Sequence, residues 1–234
     1  MISFLKNKKV RDWCLFDFGI SSFPTLVITF FYGAFYARNI VGDAIEGTSL
    51  WGFSLSLGSL LAASIFLLIL FISSSSLRKI NIKFFAVFFF ILIMSSSSLF
   101  FFNSESNKYY PLVLVVLSFI AFEVVNLFYN ISLDKVATKT SKGLISNLGW
   151  AFGYFGGLCS LAIIWFLLQI THDNDYRIFD ISVFLLIGPF VALWTIIFGA
   201  QHFKNFSKES FNIPKLNDFF ENLKIKSIKG FFFS

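Results

Sequence analysis

Phe122-Glu123-Val124-Val125-Asn126-Leu127-Phe128-Tyr129-Asn130 and, beyond a basic loop, Gly149-Trp150-Ala151-Phe152-Gly153-Tyr154-Phe155-Gly156-Gly157 decide how this chain is read. The first stretch lies in an otherwise apolar run from Pro111 to Leu133, and about 20 such residues suffice to cross a bilayer. Glu123 sits roughly 18 Å down that run at ~1.5 Å per residue, near the middle of a ~30 Å hydrocarbon core. A carboxylate there costs at least ~2.5–3.5 kcal/mol unless it faces protein or water. Asn126 and Asn130 follow at i+3 and i+7, on the same helix face. The segment therefore carries a polar stripe that has to point inward, and the rest of the chain reads as the wall around it.

Composition agrees with a membrane protein. The chain is 56% hydrophobic and only 14% charged, with a mean hydropathy of +0.76, well away from a soluble globular domain. Cys14 and Cys159 both fall in apolar segments and read as small buried fillers, not as a disulfide or metal pair. The abundant Phe residues are not read as a site.

Hydropathy predicts six spanning helices, at about 13–37, 50–72, 84–102, 111–133, 146–170 and 181–201. The basic start followed by an apolar run is too long for a signal peptide and lacks a cleavage site. The first helix carries Asp17 with Ser21 at i+4 and Thr25 at i+8, and Pro24 is expected to bend it. In the second helix Gly52, Ser56, Ser59 and Ala63 offer small surfaces for close packing. The third is uncharged and is expected to face lipid at Phe88. Residues 1–201 form the transmembrane domain and 202–234 a basic tail. Lys and Arg number four before the first helix, three after the second, three after the fourth and six in the tail, sixteen of the nineteen in all. The positive-inside rule then puts both termini in the cytoplasm, in an inner or plasma membrane. The same distribution makes the +6 charge a topology signal, and no nucleic-acid partner is expected.

Several of these residues resemble one family. Trp13-Cys14-Leu15-Phe16-Asp17-Phe18 with Ser21 or Ser22, Leu50-Trp51-Gly52, Phe122-Glu123 with Phe128-Tyr129-Asn130, and Leu148-Gly149-Trp150-Ala151-Phe152-Gly153-Tyr154-Phe155-Gly156-Gly157 occur in that order. Together they are similar to major facilitator transporters of the type of the autophagy-related vacuolar amino-acid effluxer, over about 13–199. The fifth-helix block is the most specific part. The resemblance implies an all-α fold, one six-helix half built as a 3+3 inverted repeat. It also implies secondary transport of an amino acid or similar metabolite, with the first and fourth helices lining a central cavity. Full-length members have two such halves, so a second half encoded separately or a homodimer is expected as partner, besides the bilayer and a small-molecule substrate. The loop after helix two departs from the family: Ser73 to Lys79 carries no acid and no glycine. A non-transporting fragment or accessory membrane protein is the alternative.

Asp17 and Glu123 are the acids read inside helices. Glu123 is expected to bind a proton or a substrate amine, with Asn126, Tyr129 and Asn130 as hydrogen-bonding neighbours. Asp17, one turn from the cytoplasmic end, either joins that cavity or pairs with a surface cation. Gly149, Gly153, Gly156 and Gly157 form overlapping G-x-x-x-G patterns and are expected to pack closely on another helix. Trp150 and Tyr154, four apart, either face the cavity or pack. His172 and His202 fall on opposite sides, and neither H-E-x-x-H nor G-x-S-x-G is present, which speaks against an enzyme and against a metal or other cofactor.

Overall fold

Pro24 sets the character of the first helix. It has no N–H to give to the carbonyl four residues back, so the regular helix of Lys8–Ile20 widens into π-helical turns over Pro24–Phe30. There the Phe31 N–H reaches the Leu26 carbonyl five residues back, at 3.1 Å. The span continues through a second π-helical stretch, Tyr36–Val41, and stops at Gly42, whose φ of 77° is left-handed. Its π-helical widening replaces the simple bend expected at Pro24.

The computed structural model describes residues 6–75, 79–172, 175–178, 180–206 and 210–212. Among them are six helices long and apolar enough to cross a membrane. They are α1 (Lys8–Val41), α2 (Ala44–Ser75), α3 (Ile82–Ser98), α4 (Tyr109–Val136), α5 (Lys142–Ile170) and α6 (Val183–Asn205). Arg78 and the tail from Lys215 to Ser234 lie outside the described residues. Short strands are β1 (Lys79–Asn81), β2 (Arg177–Ile178), β3 (Ile181–Ser182) and β4 (Ser210–Asn212). β1 pairs antiparallel with β4, and β2 with β3.

Side-chain caps start three of the helices. Asn7 Oδ1 accepts from the Lys9 N–H at 3.0 Å and Asn81 Oδ1 from the Lys83 N–H at 2.9 Å. Asp43 Oδ1 accepts from the N–H groups of Ile45 and Glu46, at 2.8 and 3.0 Å. Each satisfies amides that the first turn leaves without a partner. Those two amides also hold the Asp43 carboxyl below the usual carboxylate range, the Glu46 N–H contributing most.

α1 packs on α5 and α6, α4 packs on α2 and α3, and α3 packs on α6. Two aromatic cores result. One, at the end carrying Asn7 and Asn205, gathers Trp13, Phe16, Phe85, Phe128, Tyr129, Phe206 and Phe211. The other, at the opposite end, gathers Tyr32, Tyr36, Trp51, Leu99, Leu112 and Val183. There the Tyr32 hydroxyl donates to the Leu99 carbonyl at 3.1 Å and that of Tyr36 to the Lys108 carbonyl at 3.0 Å.

Three sequence expectations change. On α2 the buried residues are Gly47, Trp51, Ser54, Gly58 and Ala62, while Gly52, Ser56, Ser59 and Ala63 are exposed. Both sets recur every three or four residues, so spacing alone does not choose between them; Trp51 does, by filling the core beside Tyr32 and Tyr36. Phe88 on α3 is half-buried between the two cores and packs against Phe84, whereas Val87 and Phe90 are the exposed neighbours. In the stretch read as the tail, residues 202–206 and 210–212 pack against the bundle. His202 is fully buried, its Nε2 lying 3.0 Å from Ser132 Oγ. Phe211 fills a gap beside Phe85, Phe128 and Phe206, and the Lys135 ammonium lies 4.4 Å from its ring.

Candidate functional site

Between the two cores, where α1 meets α4 and α5, lies a cavity of about 580 Å³. α1 contributes Asp17, Ser21 and Thr25, one residue per turn, with Pro24 and Phe30. α4 contributes Phe122, Asn126, Tyr129 and Asn130. α5 contributes Trp150, Gly153, Tyr154, Gly157, Leu158 and Leu161.

The glycines of α5 make this geometry possible. All four are buried. A Cβ on Gly153 would stand 2.6 Å from Asp17 Oδ2, and one on Gly157 would stand 2.7 Å from Thr25 Oγ1. A Cβ on Gly156 would strike the Phe18 backbone, 2.6 Å from its Cα, and one on Gly149 would strike the Tyr129 hydroxyl and the Trp13 ring. A side chain at Gly156 would have to push the α1 backbone away, and one at Gly149, Gly153 or Gly157 would have to displace the side chains of Tyr129 and Trp13, Asp17 or Thr25.

Asp17 is the acid of the cavity. It is partly exposed and accepts from Ser21 Oγ at 3.4 Å. The Tyr129 hydroxyl is close enough to interact with it, yet is buried without the alignment of a hydrogen bond. The Tyr129 ring is held from behind by Trp13, stacked at 4.2 Å with 11° between the planes. Trp13 Nε1 in turn donates to the Tyr129 carbonyl at 3.0 Å. That pair fixes the phenol against the α1 stripe.

The other polar groups are already partly committed. Thr25 Oγ1 donates to the Ser21 carbonyl at 2.8 Å. Asn130 Nδ2 donates to the Asn126 carbonyl at 2.9 Å. Across the cavity Trp150 and Tyr154 stand edge to face, ring centroids 6.0 Å apart, and remain 64% and 69% exposed. High exposure of two large rings leaves this side of the cavity open.

The structure thus brings Asp17, Asn126, Tyr129, Asn130, Trp150 and Tyr154 around one space, with Gly153 and Gly157 at its floor. Gly149 and Gly156 serve the α1–α5 contact beside it. Glu123 is not among the lining residues. It is half-buried and has no hydrogen-bond partner among the described residues. At ~100° per residue it lies within about 20° of Asn130 round α4, about two turns before it along the helix. Phe119, one turn earlier, covers Gly58 of α2.

Two buried polar contacts near the chain termini were not anticipated from sequence. Asp12 is 3% exposed and accepts from Asn205 Nδ2 at 3.0 Å. Ser132 meets His202 as described above. A polar residue at the end of an apolar helix reads as interfacial; only the continuation of α6 to Asn205 buries these.

No family model, curated protein or solved structure matches the chain.

Proposed function

We propose that the six helices form one half of a secondary transporter of the major facilitator type, and that the α1–α4–α5 cavity is its half-site for a small polar solute. The observation that carries this reading is a polar wall of Asp17, Ser21, Thr25, Asn126 and Asn130 facing a cavity inside a bundle of apolar spanning helices. Polar groups at membrane depth are costly and gather where a solute or ion passes. The helix pairing supports a 3+3 inverted repeat. Exchanging α1 with α4, α2 with α5 and α3 with α6 turns the α1–α5 and α1–α6 contacts into the α4–α2 and α4–α3 contacts, and leaves α3–α6 unchanged. The open side at Trp150 and Tyr154 is closed by a second six-helix unit, whether a further stretch of chain, a separate polypeptide or a second copy. By resemblance the solute is an amino acid or similar metabolite, and the membrane is a plasma or inner membrane with both termini cytoplasmic.

Solute-evoked currents from membrane vesicles containing the protein, recorded against a panel of amino acids and amines, test the function. Currents that Asp17→Asn abolishes support it; no currents, or equal currents from Asp17→Asn, overturn it. Glu123→Gln in the same assay assigns the second acid. Loss of pH-gradient-driven current with retained solute exchange makes Glu123 a proton site. Wild-type behaviour makes it a structural polar group. Orientation is checked separately: a cysteine at Ser106 reacts with an impermeant reagent from outside and one at Ser141 does not, and the reverse result inverts the topology.

A further inference from the structure

The hydrogen atoms of the cavity's polar groups are mostly spoken for. Ser21 donates to Asp17 and Thr25 to the Ser21 carbonyl, so both hydroxyls turn lone pairs toward the space. Asn130 donates its amide to the Asn126 carbonyl and leaves its own amide oxygen free. Asp17 offers carboxylate oxygens and no donor. Two donors remain on this wall: the buried Tyr129 hydroxyl, beside that carboxyl, and the Asn126 side-chain amide, whose oxygen takes the Asn130 amide. The wall is therefore rich in acceptors, carries one negative charge, and has no Lys, Arg or His among its lining residues.

Opposite this wall stand the rings of Trp150 and Tyr154. A ring face attracts a cation within about 6 Å of its centroid, by roughly 0.5–2 kcal/mol depending on desolvation. An alkylammonium group matches both sides. Its N–H donors suit the acceptors of the wall, and its charge suits the carboxylate and the rings. A zwitterionic amino acid fits less well. Its own carboxylate would enter beside Asp17 with no cation among the lining residues to receive it, and two like charges side by side repel.

Resting on the proposal that this cavity is a solute site, we infer that its ligand is an amine without a carboxylate, a small monocationic alkylammonium, and that Asp17 is the counter-ion. Asp17 and the α5 rings set the selectivity: the acid demands the positive charge, and the acceptor wall penalises a second, negative group.

Isothermal titration of the detergent-solubilised protein with 3-methylbutylamine and with leucine tests this, because the two ligands differ only by the carboxylate. The amine is expected to bind wild type at least tenfold more tightly than leucine. Asp17→Asn is expected to weaken the amine at least tenfold and leave leucine little changed, with the thermal unfolding of the variant reporting that the bundle is intact. Should Asp17→Asn fail to fold, Trp150→Ala, at an exposed position, is expected to weaken the amine several-fold by itself. Leucine binding as tightly as the amine would overturn the substrate class and leave the solute site standing. Binding of neither ligand would overturn both. Equal amine binding by wild type, Asp17→Asn and Trp150→Ala would show partition into detergent and overturn the inference.

Discussion

Two helix crossings in this bundle are built differently. Where α5 crosses α1, four buried glycines line the contact, Gly156 directly against the Phe18 backbone, and a Cβ at any of them would strike α1 or Tyr129. Where α2 crosses α4, Gly58 alone is close, and its neighbour is the Phe119 side chain at 3.1 Å. The other glycine of that central stretch, Gly52, faces open space. Small residues at a membrane interface matter by what they touch. On α5 Gly156 meets the Phe18 backbone, which cannot move aside, and the other three meet the side chains of Tyr129, Trp13, Asp17 and Thr25; on α2 they meet a rotatable ring or nothing. Close approach at the first crossing puts Asp17 and its stripe at the cavity wall. The looser second crossing leaves Glu123 half-buried outside that wall.

Breaking the tight crossing should have the largest effect. Gly156→Leu drives a branched side chain into the Phe18 backbone, and overpacking in a close-packed interior costs about 1–3 kcal/mol, more where backbone has to shift. We expect the top of that range, seen as a large fall in unfolding temperature in detergent; an unchanged midpoint would mean the helices are not in contact. Gly153→Leu comes next, at about 2 kcal/mol. Its Cβ meets the end of the Asp17 side chain, 2.6 Å away, which can rotate. Phe90→Leu on α3, at a position 61% exposed, is the matched control and should leave the midpoint nearly unchanged. Equal losses for Gly153→Leu and Phe90→Leu would remove the distinction between a packed and an outward face.

At the looser crossing, Gly58→Ala should change stability by less than about 1 kcal/mol, because the Phe119 ring can yield while alanine favours the helix. The smallest effect belongs to Gly52→Ala. With nothing within 4 Å of the added Cβ, the gain in helix propensity makes it neutral or stabilising by up to about 1 kcal/mol. A loss there comparable to that at Gly156 would put a partner against the exposed stripe of Gly52, Ser56, Ser59 and Ala63.

What could be read from sequence follows the same division. The six spans are plain in hydropathy, since each is an apolar run of membrane length. The positions of Asp17, Ser21 and Thr25 on one stripe follow from helical spacing alone, as does the alignment of the α5 glycines. Spacing fixes which residues share a face but not what the face meets. For that reason the buried side of α2 could not be told from its exposed side, and nothing in the spacing ranks Asp17 above Glu123 as a lining residue. Phe88 illustrates the limit on α3: an uncharged helix looks lipid-facing all round, yet contacts with α4 and α6 bury half of it. Pairing of β1 with β4 was invisible for another reason. Three residues on each side are too few for a period-two pattern, and the partners are separated by four helices.

The close passage of α1 over α5 is the claim on which the cavity depends, and a cross-link tests it directly. A Cβ built on Gly157 lies 3.7 Å from the Thr25 Cβ, inside the ~3.5–4.5 Å span that a disulfide bridges. With Cys14 replaced by Ala and Cys159 by Ser, the Thr25→Cys, Gly157→Cys double variant is oxidised in membranes, then cleaved in the loop between α3 and α4. The account predicts that the two fragments stay joined on a non-reducing gel and separate on reduction. Fragments that separate without reductant would contradict it.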